Sequence, residues 1–159
     1  MLIRLGEPRL HYNSLIYLSG ADPPPTHAPP GATGAFHLST VDLTRDNFED
    51  VIQKNAMVLV DFWAPWCGPC RAFAPVYEAA SALHADVVFA KVNTEDQPEL
   101  ASTFQIRSIP TLMLFRDQII LFSQPGSLPG PALEDILTKA KALDMDMVRK
   151  EIAEQDTTA

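Results

Sequence analysis

Cysteine is nearly absent from this chain: there are two in 159 residues, both within one four-residue stretch. That scarcity excludes a small secreted domain stapled by disulfides, leaves both thiols free for chemistry, and fits a reducing compartment. Basic residues are also in deficit, 12 Lys and Arg against 20 Asp and Glu, for a formal net charge of −8. Such a balance argues against nucleic acid or an anionic membrane surface as partner, and otherwise serves solubility. No run approaches the roughly 18 continuous apolar residues that a membrane span needs. The first residues do not form the apolar core of a secretory signal either, because Arg4, Glu7, Pro8, Arg9, His11 and Asn13 interrupt it. The expected compartment is the cytoplasm, with the periplasm as the alternative. What is present is an ordinary globular composition, 47% hydrophobic and 20% charged, long enough for one domain with a real core.

The two cysteines stand in Trp66-Cys67-Gly68-Pro69-Cys70, after the apolar run Met57–Val60 and before a helical pattern from about Pro69 to Leu83. A Cys-x-x-Cys between a strand and a helix reads as a thiol–disulfide redox motif. Two intervening residues let one helical turn hold the sulfurs within bonding reach, with the first Cys at the helix N-terminus. Unpaired N–H groups and the positive end of the helix dipole favour a thiolate there. The second Cys, one turn deeper, is expected to be more buried and less acidic. Two other readings compete. A structural zinc site needs four ligands, yet no second Cys pair exists, and His11, His27, His37 and His84 are scattered. Two packing cysteines would need neither Gly-Pro between them nor a helix start.

Along the chain, six of the fourteen prolines precede residue 36, and Pro23-Pro24-Pro25 favours extended polyproline II. Residues 1–35 therefore read as a disordered Pro-rich extension, residues 36–151 as the domain, and residues 152–159 as a flexible tail. Order is expected to begin with a strand over Phe36–Val41. A helix follows with Thr44 as N-cap and a Leu43–Phe48 staple, ending near Lys54-Asn55. Strands are expected at Met57–Trp63, Val87–Val92, Thr111–Arg116 and Ile119–Ser123, with a short helix at Gln97–Thr103. Pro75 lies inside the cysteine-bearing helix and is expected to kink it. From Gly130 to about Glu151 the pattern predicts one amphipathic helix with Leu133, Ile136, Leu137 and Ala140 on its apolar face. The order β-α-β-α-β-α-β-β-α gives an α/β fold, a central mixed β-sheet with helices on both faces.

Trp66–Cys70 resembles the active-site signature of the thioredoxin family. Val60–Trp66, Ala90-Lys91-Val92-Asn93 and Phe104–Thr111 are similar in order and spacing, so the resemblance covers roughly Phe36 to Leu143. Arg71–Pro75 and Lys91–Glu95 look most like the thioredoxin-2 subgroup, whose members usually carry an N-terminal zinc-binding segment with two further Cys pairs. This chain has none, so it resembles either a zinc-less relative or a general thioredoxin. The fold implied is the thioredoxin fold. The activity implied is reduction of disulfides in client proteins by dithiol exchange, recharged by a thioredoxin reductase, with no metal or dissociable cofactor and the protein acting as a monomer. The family usually places Gly in the last hairpin; the tip here is Asp117-Gln118, so a different turn geometry is expected.

The site residues follow from both lines. Cys67 is the candidate nucleophile and Cys70 the resolving thiol. Asp61, near the end of an apolar strand, is the candidate proton acceptor: burial would raise its pKa, and thioredoxins carry a buried Asp at this position. The plainer reading is a strand-end carboxylate satisfied by backbone N–H groups. The resemblance sets Lys91 beside Asp61, although an ordinary exposed lysine reads equally well. Gly68 and Pro69 are backbone devices that tune the redox poise. The Ile109-Pro110 bond is implied to be cis and to face the cysteines, with the Ile109 backbone pairing to an extended client segment. Trp66, Pro75 and Gly126 complete the implied docking surface, while Trp63 is expected to pack under the loop. Two alternatives remain: a periplasmic reductase dedicated to specific disulfides, and a binding or chaperone module whose redox state is incidental.

Overall fold

The alternation of side chains between the two faces of the central strand explains the layering. In β2, Met57–Trp63, every residue but the last is buried, because the two faces of the strand meet two different cores. The computed structural model describes residues 40–158. Around β2 lie β1 (Val41–Asp42), β3 (Val88–Asn93), β4 (Thr111–Arg116) and β5 (Ile119–Pro125). They form one five-stranded sheet in the order β1-β3-β2-β4-β5. β3 runs parallel to β1 and β2, whereas β4 is antiparallel to β2 and β5. The expected strand over Phe36–Val41 falls largely outside the described residues, as does the extension of residues 1–35.

The helices are α1 (Phe48–Lys54), α2 (Gly68–Leu83), α3 (Pro98–Thr103), α4 (Gly130–Ala142) and α5 (Met145–Thr158). On one face of the sheet, Met57 and Leu59 of β2 and Phe89 of β3 pack with Phe73 and Tyr77 of α2, Leu133 and Leu137 of α4, and Met145 and Val148 of α5. On the other face, Val58, Val60 and Phe62 pack with Phe48 and Ile52 of α1 and Leu100 of α3. This is the expected mixed sheet covered on both faces. The alternation that sends Leu59 toward α2 also puts Asp61 on that face, because every second side chain of a strand shares a side.

Three local expectations are corrected. Thr44 does not cap α1. The Asn47 side chain instead accepts the Thr44 N–H at 2.8 Å, closing a turn that delays the helix to Phe48. The hairpin turn meets its demand for positive φ without glycine, since Asp117 and Gln118 adopt φ of 50° and 68°. Asp117 is held there by its N–H to the Ala56 carbonyl and its carboxylate to Arg149. The single long final helix is two. Arg116 at the end of β4 donates to the carbonyls of Ala140, Lys141 and Leu143, which α4 would otherwise leave unpaired. Asp144 then accepts the N–H groups of Asp146 and Met147 and starts α5, which continues through residues 152–158.

Candidate functional site

β2 ends beside the site and α2 begins in it. Cys67 is the N-cap of α2, and its Sγ accepts the Cys70 N–H at 3.2 Å. Pro69 sits in the first helical turn, where its missing N–H costs nothing. Gly68 is exposed, and a side chain built on it would meet nothing within 4 Å. Cys67 and Cys70 are joined as a disulfide. The expected difference in burial between them is not seen: Cys67 is 4% exposed and Cys70 3%. Ala64, Trp63 and Ile109 pack around both sulfurs and cover the outer one as well as the inner. The asymmetry lies in what each sulfur faces. Cys67 Sγ is 3.7 Å from the Ile109 carbonyl oxygen and beside the free end of the helix. Cys70 starts the buried stripe of α2 that continues through Phe73, Tyr77 and Ala80.

The Ile109–Pro110 bond is cis, and Pro110 is buried. Gly126, at φ 99°, donates its N–H to the Pro110 carbonyl at 2.7 Å, so the residue after β5 braces the cis segment. Trp66 is 64% exposed on the loop before Cys67, with its indole N–H donated to Glu95 at 2.6 Å. Trp63 is the inner tryptophan, packed against the cysteines as expected. Pro75 is exposed further along α2, away from that cluster, and α2 continues through it. A proline there leaves the Arg71 carbonyl without its helical partner.

Asp61 is 1% exposed, and neither carboxylate oxygen has a hydrogen-bond partner. The alternative of backbone N–H groups satisfying a strand-end carboxylate is therefore not realised. Desolvation pushes the Asp61 pKa from 3.8 to about 7, opposed in part by the charge of Lys91. Lys91 is the register partner of Asp61 across the parallel β2–β3 ladder. Its ammonium lies 4.6 Å from the centre of the Trp63 ring, a cation–π arrangement that ties the lysine to the same cluster.

Two residues escaped the sequence analysis. Glu95 orients Trp66, and nothing local distinguishes it from a solvated acid. Tyr77 is fully buried on α2, its hydroxyl 2.8 Å from the carbonyl oxygens of both Leu59 and Ala90. Its signal was available: a polar tip on an otherwise apolar helical stripe needs a buried partner.

A family model described as Thioredoxin matches residues 39–140. A thioredoxin 2 of Streptomyces coelicolor is 56% identical over 121 residues, 76% of this chain and 90% of the relative. Thioredoxin 1 of Synechococcus elongatus is 46% identical over 92 residues, 57% of this chain and 86% of the relative. Among solved structures, oxidised mitochondrial thioredoxin 3 of Saccharomyces cerevisiae superimposes with a TM-score of 0.58 at 27% identity, covering 62% of this chain and 94% of that one. Together with the Cys67–Cys70 disulfide at the start of α2, these similarities show that the chain belongs to the thioredoxin family and is a thiol–disulfide oxidoreductase.

Proposed function

We propose that this thioredoxin is a general reductase of protein disulfides, recharged by an NADPH-dependent thioredoxin reductase and acting as a cytoplasmic monomer without a dissociable cofactor. The Cys67 thiolate attacks one sulfur of a client disulfide, forming a Cys67–client mixed disulfide and releasing the other client sulfur as a thiolate. Asp61 removes the proton from Cys70. The Cys70 thiolate then attacks the Cys67 sulfur, expels the second client thiolate and leaves the Cys67–Cys70 disulfide. Two electrons and two protons from the reductase restore the dithiol. The observation that carries the reading is a helix-capping sulfur together with a buried carboxylate that no protein group hydrogen-bonds, on the face of the sheet that α2 covers.

The surrounding residues have matching roles. The positive charge of Lys91 keeps Asp61 from being locked in its neutral form, and Gly68 and Pro69 set the redox poise. Trp66, Ile109, Pro110, Gly126 and Pro75 form the docking surface, with the Ile109 backbone beside the cis bond pairing to an extended client segment. Among the described residues no helix is long and apolar enough to cross a membrane, which agrees with a partner met in solution.

The test is reduction of a generic disulfide protein, followed by NADPH consumption, with thioredoxin reductase as the sole electron source. Cys67→Ser is expected to abolish turnover, and Cys70→Ser to accumulate mixed disulfides. Full activity in Cys67→Ser would overturn the mechanism. Turnover with dithiothreitol but not with the reductase would keep the chemistry and replace the electron donor.

A further inference from the structure

The buried phenol of Tyr77 has no part in the exchange described above, yet its surroundings are those of the site. It lies on the same α2 stripe as Cys70, seven residues on, about 10 Å along the axis at 1.5 Å per residue. Its hydroxyl reaches the carbonyls of Leu59 in β2 and Ala90 in β3. Leu59 is two residues before Asp61 on the same face of the sheet, and Ala90 directly precedes Lys91. One side chain of α2 is thus fastened to both strands that carry the charged pair, just below that pair. The ring is held by Phe73 and Phe89, with centroids 5.7 and 5.1 Å away.

We propose that Tyr77 is a positioning residue for the resolving step: anchored to the Leu59 and Ala90 carbonyls, it fixes the height of α2 over β2 and β3, and hence the approach of Asp61 to Cys70. A phenol has a single proton, so the oxygen donates to one carbonyl at a time and sits between the two, which restricts movement along either strand. Burial and the nearby Asp61 charge raise the Tyr77 pKa well above 10, so the anchor stays protonated while Asp61 titrates. The charged and titratable groups that interact with Asp61 are Lys91 from β3 and Tyr77 from α2. Its partner on β4, Leu112, is apolar.

The proposal rests on Asp61 as the proton acceptor, and a double-mutant cycle separates the two ideas. Tyr77→Phe keeps the ring and deletes the hydroxyl. The mixed-disulfide resolution rate is measured from pH 5.5 to 8.5 in wild type, Y77F, D61N and the double variant. Y77F is expected to slow resolution on the order of 3- to 10-fold and to raise the midpoint of the pH–rate profile by roughly half a pH unit. The effect should vanish in the D61N background. A Y77F protein that is less stable but has the wild-type rate and midpoint overturns the proposal, as does an equal slowing in both backgrounds. A D61N profile identical to wild type overturns the assignment of Asp61 and this proposal with it. Should Y77F not fold, the 13Cζ resonance of Tyr77 in the reduced wild-type protein gives the answer. It is expected to shift with the midpoint of Asp61, and a pH-independent resonance overturns the coupling.

Discussion

At the residue scale the dominant interaction is the desolvation of one carboxylate. The folded protein holds the Asp61 proton up to about pH 7, whereas the unfolded chain releases it near 3.8. The folded state therefore binds more protons between those values, and stability falls as pH rises through that window, levelling off above 7. Asp61→Asn removes the penalty. It is expected to raise stability at pH 8 by roughly 2–4 kcal/mol, with the gain vanishing below about pH 4, as read by guanidinium unfolding at several pH values. The same variant is expected to lose the midpoint near 7 in its resolution pH profile. Stability gained while resolution slows is the signature of a group kept for chemistry rather than for folding.

At the element scale, two glutamines stand where glycine would have been the signal. Gln105, at φ 52°, ends α3: its own N–H and that of Ile106 bond back to the Ser102 and Ala101 carbonyls in a Schellman arrangement. Gln118 holds the second position of the hairpin turn at φ 68°. A left-handed non-glycine residue costs about 1–2 kcal/mol, and glycine loses roughly half of that advantage to chain entropy. Gln105→Gly and Gln118→Gly are each expected to stabilise by about 0.5–1 kcal/mol in thermal or denaturant unfolding. Asp144 acts in the opposite sense. Its side chain starts α5 on two N–H groups, so Asp144→Ala should cost about 1 kcal/mol. The break between α4 and α5 was not legible beforehand, because the apolar spacing runs across Leu143. Arg116, from a strand distant in sequence, supplies the partners that end α4.

For the whole molecule, the family match stops at residue 140 while the core does not. Met145 and Val148 of α5 are 7% and 3% exposed and belong to the core shared by β2, α2 and α4. Deleting residues 144–159 uncovers that core at a part of the fold remote in sequence from the cysteines. The expected loss is about 3–6 kcal/mol, at 1.5–3 kcal/mol for each apolar side chain removed from burial. Disulfide exchange should persist at temperatures where the shortened chain remains folded. Unfolding curves that superimpose on the full-length protein would show α5 to be an appendage.

Local chemistry determined much of this protein in advance. A strand followed by Cys-Gly-Pro-Cys and an apolar helical stripe needs only nearest-neighbour geometry, so β2, α2 and the sulfur at the helix start were readable from the chain. Its place in the otherwise apolar run Met57–Trp63 likewise marked Asp61 as an unexpected position for a solvated carboxylate. Tertiary structure decided what depends on residues distant in sequence. The Ile109 carbonyl reaches Cys67 across 42 positions, and covers a sulfur that local reasoning left more exposed than its partner. The Asp61 pKa depends on how completely α2 and the neighbouring strands exclude water, and the Tyr77 anchor depends on two carbonyls from different strands. Side-chain type and spacing are properties of the chain, whereas desolvation and hydrogen-bond partnership are properties of packed surfaces and exist only once the sheet has formed.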